Sequence, residues 1–437
     1  MKCLCLRLVV QANELPRPRE ISMQRAADHR RYTAYVAAVA VLAGLAGLSA
    51  TGQSAGAAPS AGLRAAPAPL ILDRAANSGG TMVMDSAGTT YLTWADPATA
   101  KRPQSIWLCR IPRGGKCKTR QQLSIPAADR GLGVTEPFPA FGELSPKAFY
   151  VIAPSYIYGN IVYWISANDG ATFPSSRVSP ANTYWDTLGV DDVEFNAAGS
   201  RKGKLDVFDI VSSGSGDVGF SVASPLVVYC HPGACDFEYK TAPDVFGATL
   251  GYDGAQWVMA YWVDSSPDTV YYFWSHVGDA TSGWHGPVKV TDGMNVRLAS
   301  GPSGLYLLSQ DFTTATASFP AKLDVRKWDP ATHTFGMPTV VARDSAATVS
   351  TALGGFGEDP ATGALYVAWP GNVPSAGGYV MRLWVSSNKG KTFGRSRYVS
   401  TIGEGFGGMV RIAARSGEGF LSFIESAGLA LVPLSRL

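Results

Sequence analysis

The chain has 437 residues, of which 46% are hydrophobic and 16% are charged, and it contains 11 Trp, 18 Tyr and 18 Phe. This length and apolar content exclude an intrinsically disordered protein and are sufficient for a large folded domain. The formal net charge of +3 comes from the N-terminus, because residues 1–57 hold seven Lys and Arg but three Asp and Glu, which leaves 30 basic and 31 acidic residues. The remainder is therefore nearly neutral, and we predict no nucleic-acid partner.

The N-terminal region has the features of an export signal. Arg25–Arg31 is basic, Tyr35–Leu48 is a short apolar run, and Ala55–Ala58 supplies small residues for cleavage. The apolar run is too short to span a bilayer. Met23 is an alternative start, and Arg30–Arg31 leaves a twin-arginine signal open.

These features divide the chain into three parts. We predict a signal peptide with its upstream region over residues 1–58, a flexible Ala/Gly/Pro/Ser leader over residues 59–68, and a single domain over residues 69–437. The mature protein is expected to be secreted, monomeric and without a membrane span.

One phrase recurs seven times: a short polar turn, usually with Gly, followed by an apolar run with an anchor near its start. Successive anchors are 49 to 60 residues apart, which is typical of a repeat architecture. The copies are Asp85–Asp96, Glu143–Ser155, Asn196–Ser212, Tyr252–Asp264, Gly301–Asp311, Asp359–Pro370 and Arg415–Glu425. Their anchors are Tyr91, Tyr150, Leu205, Trp257, Tyr306, Tyr366 and Phe420.

Each repeat has room for four short strands. The fourth is the clearest, with predicted strands at Phe246–Tyr252, Gln256–Val263, Val270–Ser275 and Gly286–Val290. Four antiparallel strands in about 50 residues form a propeller blade, so we predict an all-β, seven-bladed β-propeller. Six blades, or a pair of irregular β-sandwiches, remain as alternatives.

The two ends of the domain are expected to complete one sheet. After Phe420 the chain has one further predicted strand, Leu429–Leu434, so the seventh unit lacks its outer strand. Pro69–Arg74 is extended, apolar and outside every unit. Pairing of this segment with the last unit would leave no open edge.

Four cysteines remain after loss of the signal region, as two close pairs. Four cysteines allow three connectivities, and we favour the local bridges Cys109–Cys117 and Cys230–Cys235 because each pair flanks a turn. Zinc binding with His231 is the competing interpretation, although the spacing differs from common zinc sites.

Two segments share the pattern Ser-x-Asn-x-Gly-x-Thr-Phe between the third and fourth strands of their units. The asparagines are expected to cap the turn, the glycines to adopt positive φ and the phenylalanines to pack beneath it. The motif residues are Ser166, Asn168, Gly170, Thr172 and Phe173 in one copy and Ser386, Asn388, Gly390, Thr392 and Phe393 in the other. A shorter copy lies at Ala331–Val340.

This pattern resembles the Asp-box (BNR) repeat of sialidase-like propellers, with Asn where that family usually has Asp. The resemblance implies the fold, because Asp boxes shape turns on the outer rim and are not catalytic. Sialidases resemble one another in three substrate-binding arginines, a nucleophilic tyrosine with a glutamate, and an acid/base aspartate. Arg110, in Arg-Ile-Pro, looks similar to the family's first arginine, but we interpret it as rim structure in a third strand. Arg297 and Arg411 lie near innermost strands, and no catalytic set can be assigned.

The loops that lead into the innermost strands should meet at the mouth of the ring. Four of them carry acids, which we propose as ligand-binding residues: Glu136, Asp191, Asp192, Asp244 and Glu404. Asn77 and Asn295 occupy two further loops, and Tyr184 and Trp185 could stack on a sugar. Converging carboxylates suit Ca²⁺, sugar hydroxyls or an acid/base pair, whereas ordinary turn chemistry would also explain them.

Two functions follow. The first is a non-catalytic extracellular protein that binds a glycan or protein at the mouth. The alternative is a glycoside hydrolase resembling exo-sialidases. No cofactor motif is evident, and Ca²⁺ is the ion that the acidic mouth would suit.

Overall fold

The computed structural model describes residues 69–76, 80–97, 104–125, 137–141, 149–154, 161–174, 176–178, 192–201, 204–213, 217–223, 236–240, 245–263, 267–276, 284–311, 322–343, 354–373, 378–402, 410–425 and 427–437. All of them belong to one compact unit, Arg64–Leu437. The described part is all-β, and its one helical element is the short 3₁₀ turn Leu434–Arg436. No helix long and apolar enough to cross a membrane occurs among these residues.

Three antiparallel sheets of four strands come first in the chain, each built from consecutive strands. The first sheet contains β2 (Thr81–Met84), β3 (Thr90–Asp96), β4 (Ser105–Ile111) and β5 (Arg120–Leu123). The second contains β6 (Phe138–Phe141), β7 (Phe149–Pro154), β8 (Ile161–Ser166) and β9 (Ser176–Val178). The third contains β10 (Asp192–Arg201), β11 (Lys204–Ser213), β12 (Asp217–Ala223) and β13 (Asp236–Lys240).

An eight-stranded sheet follows, which we call the joined sheet. It contains β14 (Val245–Tyr252), β15 (Gln256–Val263), β16 (Thr269–His276), β17 (His285–Gly301), β18 (Gly304–Asp311), β19 (Lys322–Asp329), β20 (Thr334–Phe335) and β21 (Thr339–Ala342). The long strand β17 pairs with β16 as far as Asp292 and with β18 from Gly293 onward. The strand expected to end at Val290 therefore continues into the next repeat, and Asn295 lies inside it rather than in a loop.

Two four-stranded sheets complete the chain. The penultimate sheet contains β22 (Gly355–Glu358), β23 (Leu365–Val373), β24 (Gly378–Ser386) and β25 (Arg397–Ile402). The last sheet contains β26 (Arg411–Arg415), β27 (Glu418–Glu425), β28 (Gly428–Pro433) and β1 (Leu70–Asp73). The N-terminal strand β1 pairs antiparallel with β28, with Leu70 opposite Leu431, as predicted for this segment.

The repeated phrase forms the second strand of each unit. Its anchors are buried where their side chains are described, at β3, β7, β15, β18, β23 and β27. Tyr91 contacts Phe149 of the second sheet with ring centroids 4.5 Å apart, so an anchor packs against the neighbouring sheet. The apolar clusters likewise join neighbours, and one of them unites Leu92 and Trp94 of the first sheet with Leu429 and Leu431 of the last.

The first strands of the sheets lie next to one another. Contacts link them in the order β6, β2, β26, β22, β17, β14 and β10, where β17 serves as a first strand from Gly293. We call the end at which a first strand starts the upper end of its sheet, and the opposite end the lower end. Successive antiparallel sheets that pack through their faces and share an inner row of strands form a β-propeller.

One predicted disulfide is present. Cys109 and Cys117 are bonded, with their Cα atoms 5.8 Å apart, and they close the hairpin between β4 and β5. Cys230 and Cys235 lie outside the described residues.

We expect Cys230 and Cys235 to form a second local bridge, because they also flank a short turn. Peptide mapping of the non-reduced protein should recover the two pairs separately. A Cys109–Cys230 or Cys117–Cys235 peptide, or free thiols, would contradict this pairing.

Candidate functional site

The predicted mouth residues are distributed along the chain before or at the start of first strands. Glu136, Asp191, Asp244 and Glu404 lie outside the described residues, and Asp192 is the first residue of β10 with its side chain undescribed. Their positions in the chain are nevertheless informative. Glu136 and Asp244 fall just before β6 and β14, and Glu404 falls between β25 and β26. Four of the five acids therefore directly precede or begin first strands that lie in one row, and Glu404 belongs to the longer segment that leads into β26.

Hydroxyl groups fix the backbone at the start of two first strands. Thr93 donates from Oγ1 to the carbonyl of Pro137, 2.5 Å away, and Thr81 also donates to this carbonyl. Ser422 of the last sheet donates to the carbonyl of Gly80 at 2.8 Å. Since Pro137 precedes β6 and Gly80 precedes β2, the upper ends of three consecutive sheets are tied together.

At the upper end of the joined sheet, two amide side chains meet. Asn295 is buried with φ of +55°, and its Nδ2 donates to Oε1 of Gln310 at 2.6 Å. Asparagine tolerates this left-handed conformation better than most residues. The pair therefore joins β17 to β18 close to where the first strand starts.

A buried charged cluster lies on the same strands, and we call it the acid pair: Asp311 on β18 and Asp324 on β19. Arg326 donates from Nη2 to Oδ2 of Asp311 at 2.7 Å and from Nη1 to Oγ of Ser309 at 3.3 Å. The carboxylate oxygens of Asp324 are buried and accept no hydrogen bond from any described residue. Asp311 is opposite Gly293 in register, which places it at the upper end.

The acid pair has an unusual electrostatic environment. Burial, reinforced by the neighbouring Asp311 carboxyl, raises the pKa of Asp324 to about 6. Arg326 opposes this effect, but its guanidinium is committed to Asp311. A proton on Asp324 would allow it to donate a hydrogen bond to Asp311, which an ionised carboxylate cannot do.

Acids recur at the corresponding position of other second strands. Asp96, Asp311 and Glu425 are the last residues of β3, β18 and β27. Asp96 accepts a hydrogen bond from Nε1 of Trp107 at 2.8 Å, and burial raises the pKa of Glu425. Each copy of the repeated phrase that contains them ends with the acid, so this position was visible in the sequence. The sequence prediction placed the candidate acids in the loops before the first strands instead.

The three arginines considered from the sequence lie in three different sheets. Arg110 is exposed on β4, 5.5 Å above the ring of Tyr91, in agreement with a rim position. Arg297 is buried on β17 and Arg411 lies on β26, and β22 separates these two first strands in the row.

Three histidines surround Trp274 at the lower end of the joined sheet. His285 and His333 stack on its ring with centroids 4.2 and 3.7 Å away, and His276 contacts it edge-on at 5.2 Å. The three histidine rings therefore pack against Trp274 on the rim. Within the described residues, no group of three or more His, Cys, Asp or Glu side chains is arranged to hold a metal ion.

The two Ser-x-Asn-x-Gly-x-Thr-Phe segments form matching turns at the lower ends of their sheets. Oδ1 of Asn168 accepts from the Ser166 hydroxyl at 2.8 Å and from the Thr172 N–H at 2.9 Å. The second copy repeats these bonds, at 2.9 Å each, around Asn388. Gly170 and Gly390 have φ of +71° and +77°, as expected for their turns. The bonds are internal to the turns, so their role here is to shape the rim.

No protein-family model and no curated protein matches the chain. Among solved structures, a Penicillium chrysogenum alpha-L-arabinanase is 12% identical, with a TM-score of 0.44 over 85% of this chain and 100% of its own. A Hadza microbial sialidase is 10% identical, with a TM-score of 0.41 over 82% of this chain and 65% of its own. The β-propeller domain of the Trilobed protease from Pyrococcus furiosus is 8% identical, with a TM-score of 0.46 over 82% of this chain and 93% of its own. Likenesses at this level assign no family and no activity.

Proposed function

We propose that the chain is a secreted, sialidase-like propeller of seven blades that binds an extracellular glycan or protein through acidic loops at its mouth, without catalysis. The observation that carries this proposal is the row of first strands, because the chain segments that lead into this row or begin it contain five acids: Glu136, Asp191, Asp192, Asp244 and Glu404. Carboxylates on neighbouring upper ends would converge on the axis. There they could accept hydrogen bonds from sugar hydroxyls or coordinate Ca²⁺.

Seven blades follow if the joined sheet is divided where β17 changes partners. Up to Asp292 it is the fourth strand of a unit that begins with β14, and from Gly293 it is the first strand of a unit with β18, β19 and β21. With β1 in the last sheet, every unit then has four strands. The two Asn-containing turns would be degenerate Asp boxes on the rim of the second and sixth blades.

Secretion is supported by two independent features. The N-terminal region has the charge and hydropathy of a signal peptide. The Cys109–Cys117 bridge requires an oxidising compartment to persist.

A glycosidase of exo-sialidase type is the second candidate, favoured by the same acids, since paired carboxylates can cleave glycosidic bonds. Hydrolysis of a fluorogenic sialoside by the purified protein, abolished by Asp191→Asn/Asp192→Asn, would establish it. Binding without turnover would support the first proposal.

The binding proposal predicts that millimolar Ca²⁺ or an appropriate glycan raises the melting temperature. A ligand that binds only the folded protein adds about 2.7 kcal/mol of stability at a hundredfold excess over its Kd. Asp191→Asn/Asp192→Asn should abolish the shift. The matched control is Asp169→Asn, an isosteric change in a turn at the lower end, which should retain it. If no ligand shifts the melting temperature and the double variant is as stable as the parent chain, these acids are ordinary turn-forming residues without a binding role.

A further inference from the structure

The hairpin between β4 and β5 concentrates positive charge in a nearly neutral domain. The segment Cys109–Arg120 contains five basic residues and no acid, and all five are exposed: Arg110, Arg113, Lys116, Lys118 and Arg120. We call it the basic hairpin. It lies at the lower end of the first sheet, because Ile111 is opposite Thr90 and Thr90 is opposite Met84, the last residue of β2. It is therefore at the opposite end of the first sheet from the start of β2.

Part of this charge is already neutralised within the protein. Arg113 pairs with Glu418 at 2.8 Å, and Arg120 pairs with Asp73 at 3.1 Å. Lys116 and Lys118 have no ion pair with any described residue. Unpaired, solvated ammonium groups on a fixed surface are available to an external anion.

The hairpin is also constrained before any partner arrives. The Cys109–Cys117 bridge closes it, and its turn is tightened by the N–H of Gly115, which donates to the carbonyl of Pro112 at 2.7 Å. Gly114 supplies the positive φ, +64°, that this turn needs. A constrained loop loses less conformational entropy on binding than a flexible one.

We propose that the basic hairpin is a second binding surface, separate from the mouth, for a linear acidic polysaccharide that carries carboxylate or sulfate groups. Charge complementarity indicates a polyanion, and a disulfide-bonded domain works where extracellular polysaccharides are available. A lipid surface is disfavoured because the exposed large hydrophobic side chains of the described part are Leu70, Val288 and Met337, none of them in the hairpin.

Binding should be measured on the mature chain against polygalacturonate and heparin, with dextran as the uncharged control and with duplex DNA and phosphatidylserine vesicles as competing polyanions. We expect micromolar or tighter binding of at least one acidic polysaccharide at low salt, and none of dextran. Affinity should fall steeply as NaCl is raised, because counterions screen and replace the contacts.

The decisive variant is Lys116→Glu/Lys118→Glu, matched by Lys389→Glu/Lys391→Glu in the Asn388 turn. Both pairs have the same spacing, and all four lysines are exposed, so the variants change net charge equally. The hairpin variant should bind at least tenfold more weakly, with a shallower salt dependence, and the control should stay within about twofold. Equal melting temperatures would exclude misfolding as the cause.

Glu418→Gln gives a test in the opposite direction. It removes the carboxylate that neutralises Arg113 at an exposed position, so affinity should rise severalfold. If both lysine variants lost affinity equally, binding would depend on net charge, and the assignment of the basic hairpin as the binding surface would be overturned. Absence of polysaccharide binding, or tighter binding of DNA or vesicles than of either polysaccharide, would also overturn it.

Discussion

Removal of residues 59–75 from the mature chain is expected to lower the melting temperature sharply and to expose the edge of β28. The deletion takes away β1, which pairs with β28 in the last sheet. Leu72 is buried among Trp94, Leu429 and Leu431, so the first sheet also loses packing. Asp73 accepts hydrogen bonds from Nε1 of Trp94 at 3.2 Å and Nη1 of Arg120 at 3.1 Å. The deletion therefore removes buried apolar area, the backbone hydrogen bonds between β1 and β28, and the hydrogen bonds of Asp73.

Substitutions of two leucines of β1 distinguish the loss of packing from the loss of chain length. Leu72 is 5% exposed and Leu70 is 45% exposed. Leu72→Ala should cost about 2–5 kcal/mol, whereas Leu70→Ala should change the free energy of unfolding by about 0.5 kcal/mol or less. Thermal and denaturant unfolding of both variants and the deletion would measure this. An unchanged melting temperature after the deletion would refute the closing role of β1.

Local patterns predicted the strands where each one ends at a turn. Gln256–Val263 was predicted with the limits that β15 has, because an apolar run lies between two polar turns. The pairing of β1 was predictable for a related reason. An apolar segment without a repeat of its own, and a final repeat one strand short, leave one arrangement that pairs both edges.

The continuity of β17 was not predictable from turn chemistry. Thr291-Asp292-Gly293 has the composition of a loop, yet the backbone stays extended because it changes partners there rather than turning back. Gly293 permits this crossing, since a Cβ at that position would lie 2.0 Å from the carbonyl oxygen of Gln310. Contacts of this kind depend on strands that are distant in sequence.

The sequence pattern did not predict the acid pair, for a different reason. Asp324 and Arg326 alternate with apolar residues along β19, a pattern that normally indicates one solvated face. In this fold both faces of a sheet are covered by neighbours. Arg326 is opposite Leu307 in register, and Leu307 packs with Val258 and Ala260 of β15. The polar alternation therefore marks a buried charged cluster instead of a surface.

The acid pair should make the protein less stable as the pH rises from about 4 to about 7. The pKa of Asp324 is about 6 in the folded protein, above the unfolded value of 3.8, so the folded state holds the proton more tightly. Below pH 3.8 both states are protonated and the group has no effect. Ionisation penalises the folded state progressively between the two pKa values, and above about pH 6 the penalty is complete, at roughly 3 kcal/mol.

Asp324→Asn isolates this effect from every other titrating group. The amide has nearly the shape of the protonated acid, carries no charge, and can donate to Asp311 as that acid would. At pH 7.5 the variant should be more stable than the parent chain, and at pH 4 the two should be nearly equal. Asp311→Asn should instead destabilise at both pH values, because it weakens the buried pair with Arg326.

Asp329→Asn on the same strand is the matched control, with the opposite sign. Asp329 is exposed, and hydrogen bonds from the Ala331 N–H and the Thr332 hydroxyl lower its pKa. Its contribution to stability is present at neutral pH and is lost in acid, so the control variant should be less stable than the parent at pH 7.5 and equal to it at low pH. Thermal melts of the parent chain and the three variants from about pH 2 to about pH 8 would give both differences, because the contribution of Asp329 is lost only below its unfolded pKa of 3.8. If the advantage of Asp324→Asn did not grow between about pH 4 and about pH 7, folding would not raise the pKa of Asp324, and the acid pair would share no proton in this range.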